Sequence, residues 1–319
     1  MSQEDYPTDF VLDSIEAIMT KSKKPKVLLF DIGGVCVLSP MQAILDYELS
    51  HSIPPGWINT SISAASPHGY WHRLERGELP LDNTFFEGFS SDLHNPSVWS
   101  SFYKNKARKA NPSLTAEVPP VPKVDASFLF WEMMSHSRAF DPWMAPALHT
   151  LKKNASETYI LAALSNTVIF PPGHPYANPP PESDIRALFD VFVSSAHVGM
   201  RKPDPAIYAH TLQTLNAWAR SNASTARGQA LNLSSGIIAE DVLFLDDIGE
   251  NLKAAHAFGF HTIKVPLGRA YEAVAELESI TGMELAGSHP RIPLITPHML
   301  QSDQKAGNRK KAAAAAAKL

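Results

Sequence analysis

Cysteine is nearly absent from this chain. Cys36 stands alone in 319 residues, so neither an internal disulfide framework nor a thiolate metal site can be built within it. Long apolar runs are missing too: nothing approaches the ~18 consecutive residues that a membrane-crossing helix needs, and a membrane span is not expected. Nor does one sign of charge dominate. The net charge is -4 with both signs interspersed, which leaves no basic field to attract nucleic acid. Met1 to Asp13 lacks the apolar centre of a secretory signal, so the sequon residues Asn59, Asn154, Asn222 and Asn232 read as ordinary loop asparagines. Apolar residues are plentiful, at 44% hydrophobic, which is enough to bury a core rather than stay disordered. The length suits about two domains. Together these features describe a soluble intracellular protein.

Five short segments rich in β-branched and aromatic residues read as buried strands: 26–31, 158–165, 190–195, 242–246 and 261–265. They are separated by helical patterns, which favours a parallel sheet covered on both faces. Four dipeptides, Ser39-Pro40, Ser66-Pro67, Asp141-Pro142 and Asp204-Pro205, put a capping side chain before a proline suited to the first helical turn. Gln42 is spaced to complete a capping box with Ser39. More than a hundred residues separate the first two strands, too many for a simple crossover, and the intervening patterns are helical. Residues 36–155 therefore read as an inserted helical domain over the sheet, between core segments 26–35 and 156–300. Within the insertion, 104–123 reads as a loop. The proline-rich stretch 171–181 reads as a surface excursion. An extension, 1–25, precedes the core, and 301–319 reads as a flexible tail.

The chemistry gathers at strand ends. Asp31 ends the run Lys26-Val27-Leu28-Leu29-Phe30 and precedes Gly33 and Gly34, where the backbone can turn sharply and approach a ligand. Ser165 and Asn166 follow Ile160-Leu161-Ala162-Ala163-Leu164 and carry donors suited to phosphate oxygens. Lys202 precedes the capped helix at Asp204-Pro205, so an ammonium and a helix amino end face the same place. Asp246 and Asp247 end Val242-Leu243-Phe244-Leu245, with Asn251 one turn further on. At an effective dielectric near 20, two like charges 4 Å apart cost roughly 4 kcal/mol. A hard divalent cation would relieve that repulsion among Asp31, Asp246 and Asp247, and oxygen donors favour magnesium. Singly, each of these features is ordinary turn, cap or surface chemistry. In combination they describe a site for a metal ion and a phosphorylated ligand.

These residues resemble the four motifs of the haloacid dehalogenase (HAD)-like hydrolase superfamily. The likeness is nearest to the branch holding the N-terminal phosphatase domain of soluble epoxide hydrolases and the phosphatase-like domain fused to some acyl-CoA dehydrogenases. Phe30 to Val35 resembles the first motif, Leu164-Ser165-Asn166 the second, Gly199 to Tyr208 the third and Phe244 to Ala255 the fourth. Trp71 to Glu78 is similar to a cap-helix pattern of that branch. The resemblance implies an α/β fold, a Rossmann-like doubly wound parallel sheet with an inserted all-helical cap. It implies that Asp31 is the nucleophile forming an aspartyl-phosphate. Asp31, the backbone carbonyl of Gly33 and Asp247 would hold Mg2+, with Asp246 beside them as a further ligand or a supporting carboxylate, and Ser165, Asn166 and Lys202 would hold the phosphoryl group.

One position departs from that pattern. Phosphatases of the superfamily usually carry a second Asp two residues after the nucleophile, as the acid and base of the reaction. Here that position is Gly33, and general acid–base help is typically worth about 10²–10⁴ in rate. Three functions follow: a magnesium-dependent phosphatase acting on a small phosphorylated metabolite, a phosphate-binding domain that has lost catalysis, and, ranked below both, a dehalogenase. The last three residues, Ala317-Lys318-Leu319, resemble the peroxisomal address that an import receptor reads at a free carboxyl end. That receptor is an expected partner, and the peroxisome is expected ahead of the cytoplasm.

Overall fold

The computed structural model describes residues 24–294, so the terminal tripeptide Ala317, Lys318 and Leu319 lies outside the described residues. Five strands form one parallel sheet: β1 (Val27–Phe30), β2 (Ile160–Ser165), β3 (Val191–Ser194), β4 (Val242–Asp246) and β5 (His261–Lys264), in the order β3-β2-β1-β4-β5. All five segments expected as strands are present. β1 is the central strand, and in its ladders Phe30 pairs with Ala163 of β2 and Leu245 of β4. The chain order reverses on either side of β1, the place where open α/β sheets leave a crevice beyond their carboxyl ends.

Alternation along the strands divides the core into two layers, as a period of two requires. Leu28, Phe30, Leu161, Ala163, Leu243 and Leu245 face one way, against Met144, Leu148 and Leu151 and against Val274 and Leu277. Val27, Leu29, Ile160, Ala162, Leu164, Val242 and Phe244 face the other way, against Ile207, Tyr208, Leu215 and Ala255. Every residue of β1, β2 and β4 is buried, which explains their near-continuous apolar sequences.

Between β1 and β2 the chain forms α1 (Pro40–Ser50), α2 (Trp57–Ala64), α3 (Tyr70–Glu75), α4 (Asn83–Leu93), α5 (Pro96–Phe102), α6 (Ala126–His136) and α7 (Met144–Asn154). Residues from Ala43 to Met133 share a separate apolar cluster that includes Trp57, Phe85, Phe89, Trp99, Leu129 and Phe130. α7 differs. It lies inside the span 36–155 read as the insertion, yet its buried face packs on the sheet. The two connecting segments run side by side: Leu38 N–H donates to Ala139 O, and Asp141 N–H to Cys36 O. This pairing ties the entry and exit of the helical cluster to each other near the end of β1.

Ser39 caps α1, and Asp204 caps the helix α8 (Pro205–Asn222), each through its own side chain. Asp141 accepts from the N–H groups of Trp143 and Met144 at the start of α7. Ser66-Pro67 does not start a helix. The next helix begins at Tyr70, whose N–H donates to the distant Asp92 carboxylate at 2.7 Å, so a tertiary contact does the work of a local cap. Gln42 turns to Asp46 instead of closing a capping box. The expected loop 104–123 begins with a wide helical turn, Tyr103–Ala107, and a short helix, Arg108–Ala110, before becoming irregular.

The helical cluster is fastened to the sheet layer at the end of α3. Ser195 donates to the Glu75 carbonyl at 2.6 Å, and the Glu75 carboxylate accepts from Arg201 Nε at 2.7 Å. Gly77 follows with φ +65°, and a Cβ there would collide with the Ala196 carbonyl. Gly77→Ala therefore combines backbone strain of roughly 1–2 kcal/mol with a clash against the opposing layer. Urea denaturation should show a loss of at least about 1 kcal/mol; an unchanged midpoint would refute this close seating.

Candidate active site

The ladder register brings the site together from distant parts of the chain. Asp31 is the residue after β1, its N–H donating to Leu245 O at 2.8 Å, so it stands level with Asp246 at the end of β4. Ser165 ends the neighbouring β2. Lys202 lies between Gly199 and the Asp204 cap of α8. Its ammonium is held by Asp31 Oδ1 at 2.9 Å and Asp246 Oδ2 at 2.7 Å, 5.3 Å from the centre of the Phe244 ring. Lys202 is 1% exposed. Burial opposes its charge, but the two carboxylates outweigh burial and raise its pKa.

Asp246 is saturated. Its Oδ1 accepts from Ile248 N–H at 2.7 Å, Asn251 Nδ2 stands 3.1 Å from both oxygens, and Oδ2 takes the ammonium. Asp247 is the opposite case: its Oδ1 is buried with no hydrogen-bond partner. Donor oxygens of Asp31, Asp246 and Asp247 all lie within 4.8 Å of one another. Three carboxylates against one ammonium would leave two negative charges in a buried place if all three were ionised. Burial first, then repulsion from neighbouring carboxylates, pushes Asp247 up to about 8. Burial also pushes Asp31 up to about 6, against the pull of Lys202. An orphaned buried oxygen, an oxygen-only donor set and carboxylates crowded enough to resist ionisation fit a hard divalent cation. Asp31 and Asp247 have the capacity to hold it. Asp246, expected among the ligands, is already committed to Lys202 and Asn251.

Gly34 explains how Asp247 reaches this place. Its φ is +78°, and a Cβ there would collide with Asp247 Oδ2; no side chain fits between the turn after β1 and that carboxylate. Gly33 carries no such constraint. A Cβ at Gly33 would meet only Pro40, at 3.4 and 3.8 Å, which is ordinary contact.

The two expected phosphate ligands on β2 separate in role. The Ser165 hydroxyl makes only a 3.5 Å contact with Asn166 O, at the limit of a hydrogen bond, and keeps its capacity to donate to a ligand. The Asn166 amide is partly spent: its Oδ1 accepts from Lys202 N–H at 2.8 Å and one N–H of its Nδ2 donates to Lys202 O at 3.1 Å, which leaves the second N–H of the amide to donate elsewhere. Asn166 thus grips the lysine backbone, a role the sequence pattern does not reveal. Three features escape sequence reading. They are the Glu75–Arg201 pair, the Phe244 ring beneath the ammonium, and a chain of contacts from Thr167 Oγ1 through Ser194 Oγ to His197 Nδ1, at 2.5 and 2.7 Å. A spacing test finds none of them, because each joins separate elements or residue types common in turns.

No family model matches the chain. It is 29% identical over 275 residues to acyl-CoA dehydrogenase family member 10 of Mus musculus, covering 85% of this chain and 20% of that protein. It is 27% identical over 269 residues to bifunctional epoxide hydrolase 2 of Sus scrofa, covering 84% and 40%. The chain thus spans a fifth to two-fifths of these relatives' length. Among solved structures, a HAD family enzyme of Bacteroides thetaiotaomicron, in complex with magnesium and inorganic phosphate, is 18% identical. It covers 78% of this chain and 98% of that one, with a TM-score of 0.43. The relatives are the two kinds of protein whose phosphatase-type domains the motifs resemble, and the chain resembles the HAD-like hydrolases in its sequence motifs.

The backbone grip on Lys202 is directly testable. Asn166→Ala leaves a donor and an acceptor of the Lys202 backbone without their partner, at a cost of about 1–3 kcal/mol. Chemical denaturation should register that loss, whereas a residue serving only a ligand would change binding and leave stability intact.

Proposed function

We propose that this chain is a HAD-like hydrolase that uses magnesium and removes phosphate from a small phosphorylated metabolite, through an aspartyl-phosphate on Asp31. The reading rests above all on the convergence of Asp31, Asp246 and Asp247 within 4.8 Å, with the buried Lys202 ammonium on two of them. Phosphoryl transfer asks mainly for positioning and charge neutralisation, and this arrangement supplies both.

Asp31 is the nucleophile. Lys202 Nζ and Ile32 N–H hold its Oδ1 at 2.9 and 2.7 Å, which fixes the carboxylate at the mouth of the sheet. With its pKa pushed up to about 6, it is mostly ionised at neutral pH and ready to attack phosphorus. Ser165 donates its free hydroxyl to a phosphoryl oxygen. Asp246 keeps Lys202 in place, and Asn166 sets the height of the lysine backbone. A divalent ion held by Asp31, Asp247 and the Gly33 carbonyl would neutralise the carboxylates and the incoming phosphoryl charge.

Two measurements test this. Inorganic phosphate should be released from an aryl phosphate in magnesium, and the release should vanish with chelator and in Asp31→Asn. Independently of turnover, magnesium at 100 times its dissociation constant should stabilise the fold by about 2.7 kcal/mol, and Asp247→Asn should remove that increment. Magnesium stabilisation without phosphate release from any compound of a broad panel would sink the phosphatase reading and favour a binding domain.

A further inference from the structure

Resting on the phosphatase reading and narrowing its substrate, we infer that this site acts on phosphoryl compounds whose leaving group departs as a stable anion. These are acyl, enol and aryl phosphates, and phosphate esters of ordinary alcohols are poor substrates.

The inference comes from the side chains around Asp31. A leaving alkoxide is too basic to depart unaided, so an acid must protonate it within hydrogen-bond reach. The side chains that bear on the Asp31 carboxylate are Lys202, Asp246 and Asp247. Lys202 is locked between two carboxylates, and Asp246 has both oxygens engaged. Asp247 belongs to the cation. Cys36 donates its thiol to the Asp31 backbone carbonyl at 3.0 Å. Tyr208 donates its hydroxyl to Asn251 O.

Two titratable residues of the helical layer, Glu75 and His72, are not free acids either. Glu75 is bound to Arg201. His72 is buried, and desolvation together with Arg201 and Arg76 lowers its pKa to about 4, so at neutral pH it carries no proton to give as an imidazolium. Gly33, two residues past Asp31, stands where the phosphatases that the motifs resemble carry an acid; its φ is not positive, and a Cβ there would meet Pro40 at ordinary contact distance. The fold does not demand glycine there, yet no side chain is present. None of these side chains is free to act as an acid on the leaving group when Asp247 is engaged by a cation.

Both steps of the reaction balance without one when the leaving group is acidic. First, an Asp31 carboxylate oxygen bonds to phosphorus as the bond from phosphorus to the bridging oxygen breaks. The electron pair leaves on that oxygen as a carboxylate, enolate or phenolate. Next, a water oxygen bonds to phosphorus and the Asp31 carboxylate leaves with its electron pair, while both protons of the water end on the phosphate product. The aspartyl-phosphate is itself an acyl phosphate, so the second step meets the same condition as the first.

The test is a series of decreasing leaving-group acidity: acetyl phosphate, 4-nitrophenyl phosphate, phenyl phosphate and glycerol 3-phosphate. Each is assayed with the full chain in magnesium, and phosphorylation of Asp31 is followed by intact mass. In the wild type, kcat/KM should fall steadily along the series. Gly33→Asp should lift the glycerol phosphate rate relative to acetyl phosphate by about 10²–10⁴, flattening the dependence. A thermal melt checks that the variant folds; if it does not, the wild-type slope alone decides. Wild-type hydrolysis of glycerol 3-phosphate at the acetyl phosphate rate would overturn this inference and leave the phosphatase reading standing. Failure of every substrate, with Asp31 never phosphorylated, would overturn both.

Discussion

A single ammonium buried between two carboxylates organises the carboxyl edge of this sheet. Removing a charge from water costs on the order of several kcal/mol, and Lys202 is almost wholly buried. Asp31 and Asp246 offset that cost from two different strands, and the Phe244 ring lies beneath the charge. The same contact orients Asp31. One interaction thus stabilises the buried lysine and aims the Asp31 carboxylate, and the surrounding groups keep it in register. Asn251 and Ile248 hold Asp246, while Asn166 holds the lysine's backbone. Buried charge is tolerated where every partner is itself hydrogen-bonded, and around Lys202 that condition is met.

Asp247 is the deliberate exception. Its orphaned oxygen and its pKa pushed up to about 8 mark a carboxylate that the protein alone does not satisfy. Proteins rarely leave a buried acceptor unpaired without a use for it. The neighbouring Gly34 removes the one atom that would displace it. Local instability of this kind is where a cation gains its affinity: the better the protein satisfies the carboxylates by itself, the less a divalent ion would add.

A short stretch at the end of α3 connects the helical layer to the site. Glu75 and Gly77, at the end of α3, meet Ser195, Ala196 and Arg201, and Arg201 adjoins Lys202 in the chain. Movement of the helices relative to the sheet would therefore be felt at the ammonium. His72 and Glu75 share the same face of α3 as neighbours at i and i+3, and both are drawn into packing and ion pairing rather than left free for acid–base work.

Much of this was legible beforehand. The five strands follow from short β-branched runs, since strands buried on both faces need apolar residues at every position. The polar residues at their carboxyl ends, from Asp31 to Asp247, stand out because they interrupt those runs. Capping at Ser39 and Asp204 was readable for the same local reason. Tertiary structure alone decided the rest. Tyr70 takes its cap from Asp92, 22 residues away, so Ser66-Pro67 misleads. α7 packs on the sheet because its apolar stripe, Met144, Leu148 and Leu151, meets Leu28 and Phe30, and no linear pattern says which of two cores a stripe will join. Asn166 and Asp246 carry the right chemistry for phosphate and metal, and both also spend bonding capacity on Lys202. Sequence determines which donors and acceptors exist and near which strand end they fall. How their finite bonding capacity is shared among neighbours depends on distances of a few ångströms between segments far apart in the chain, and only the folded structure sets those.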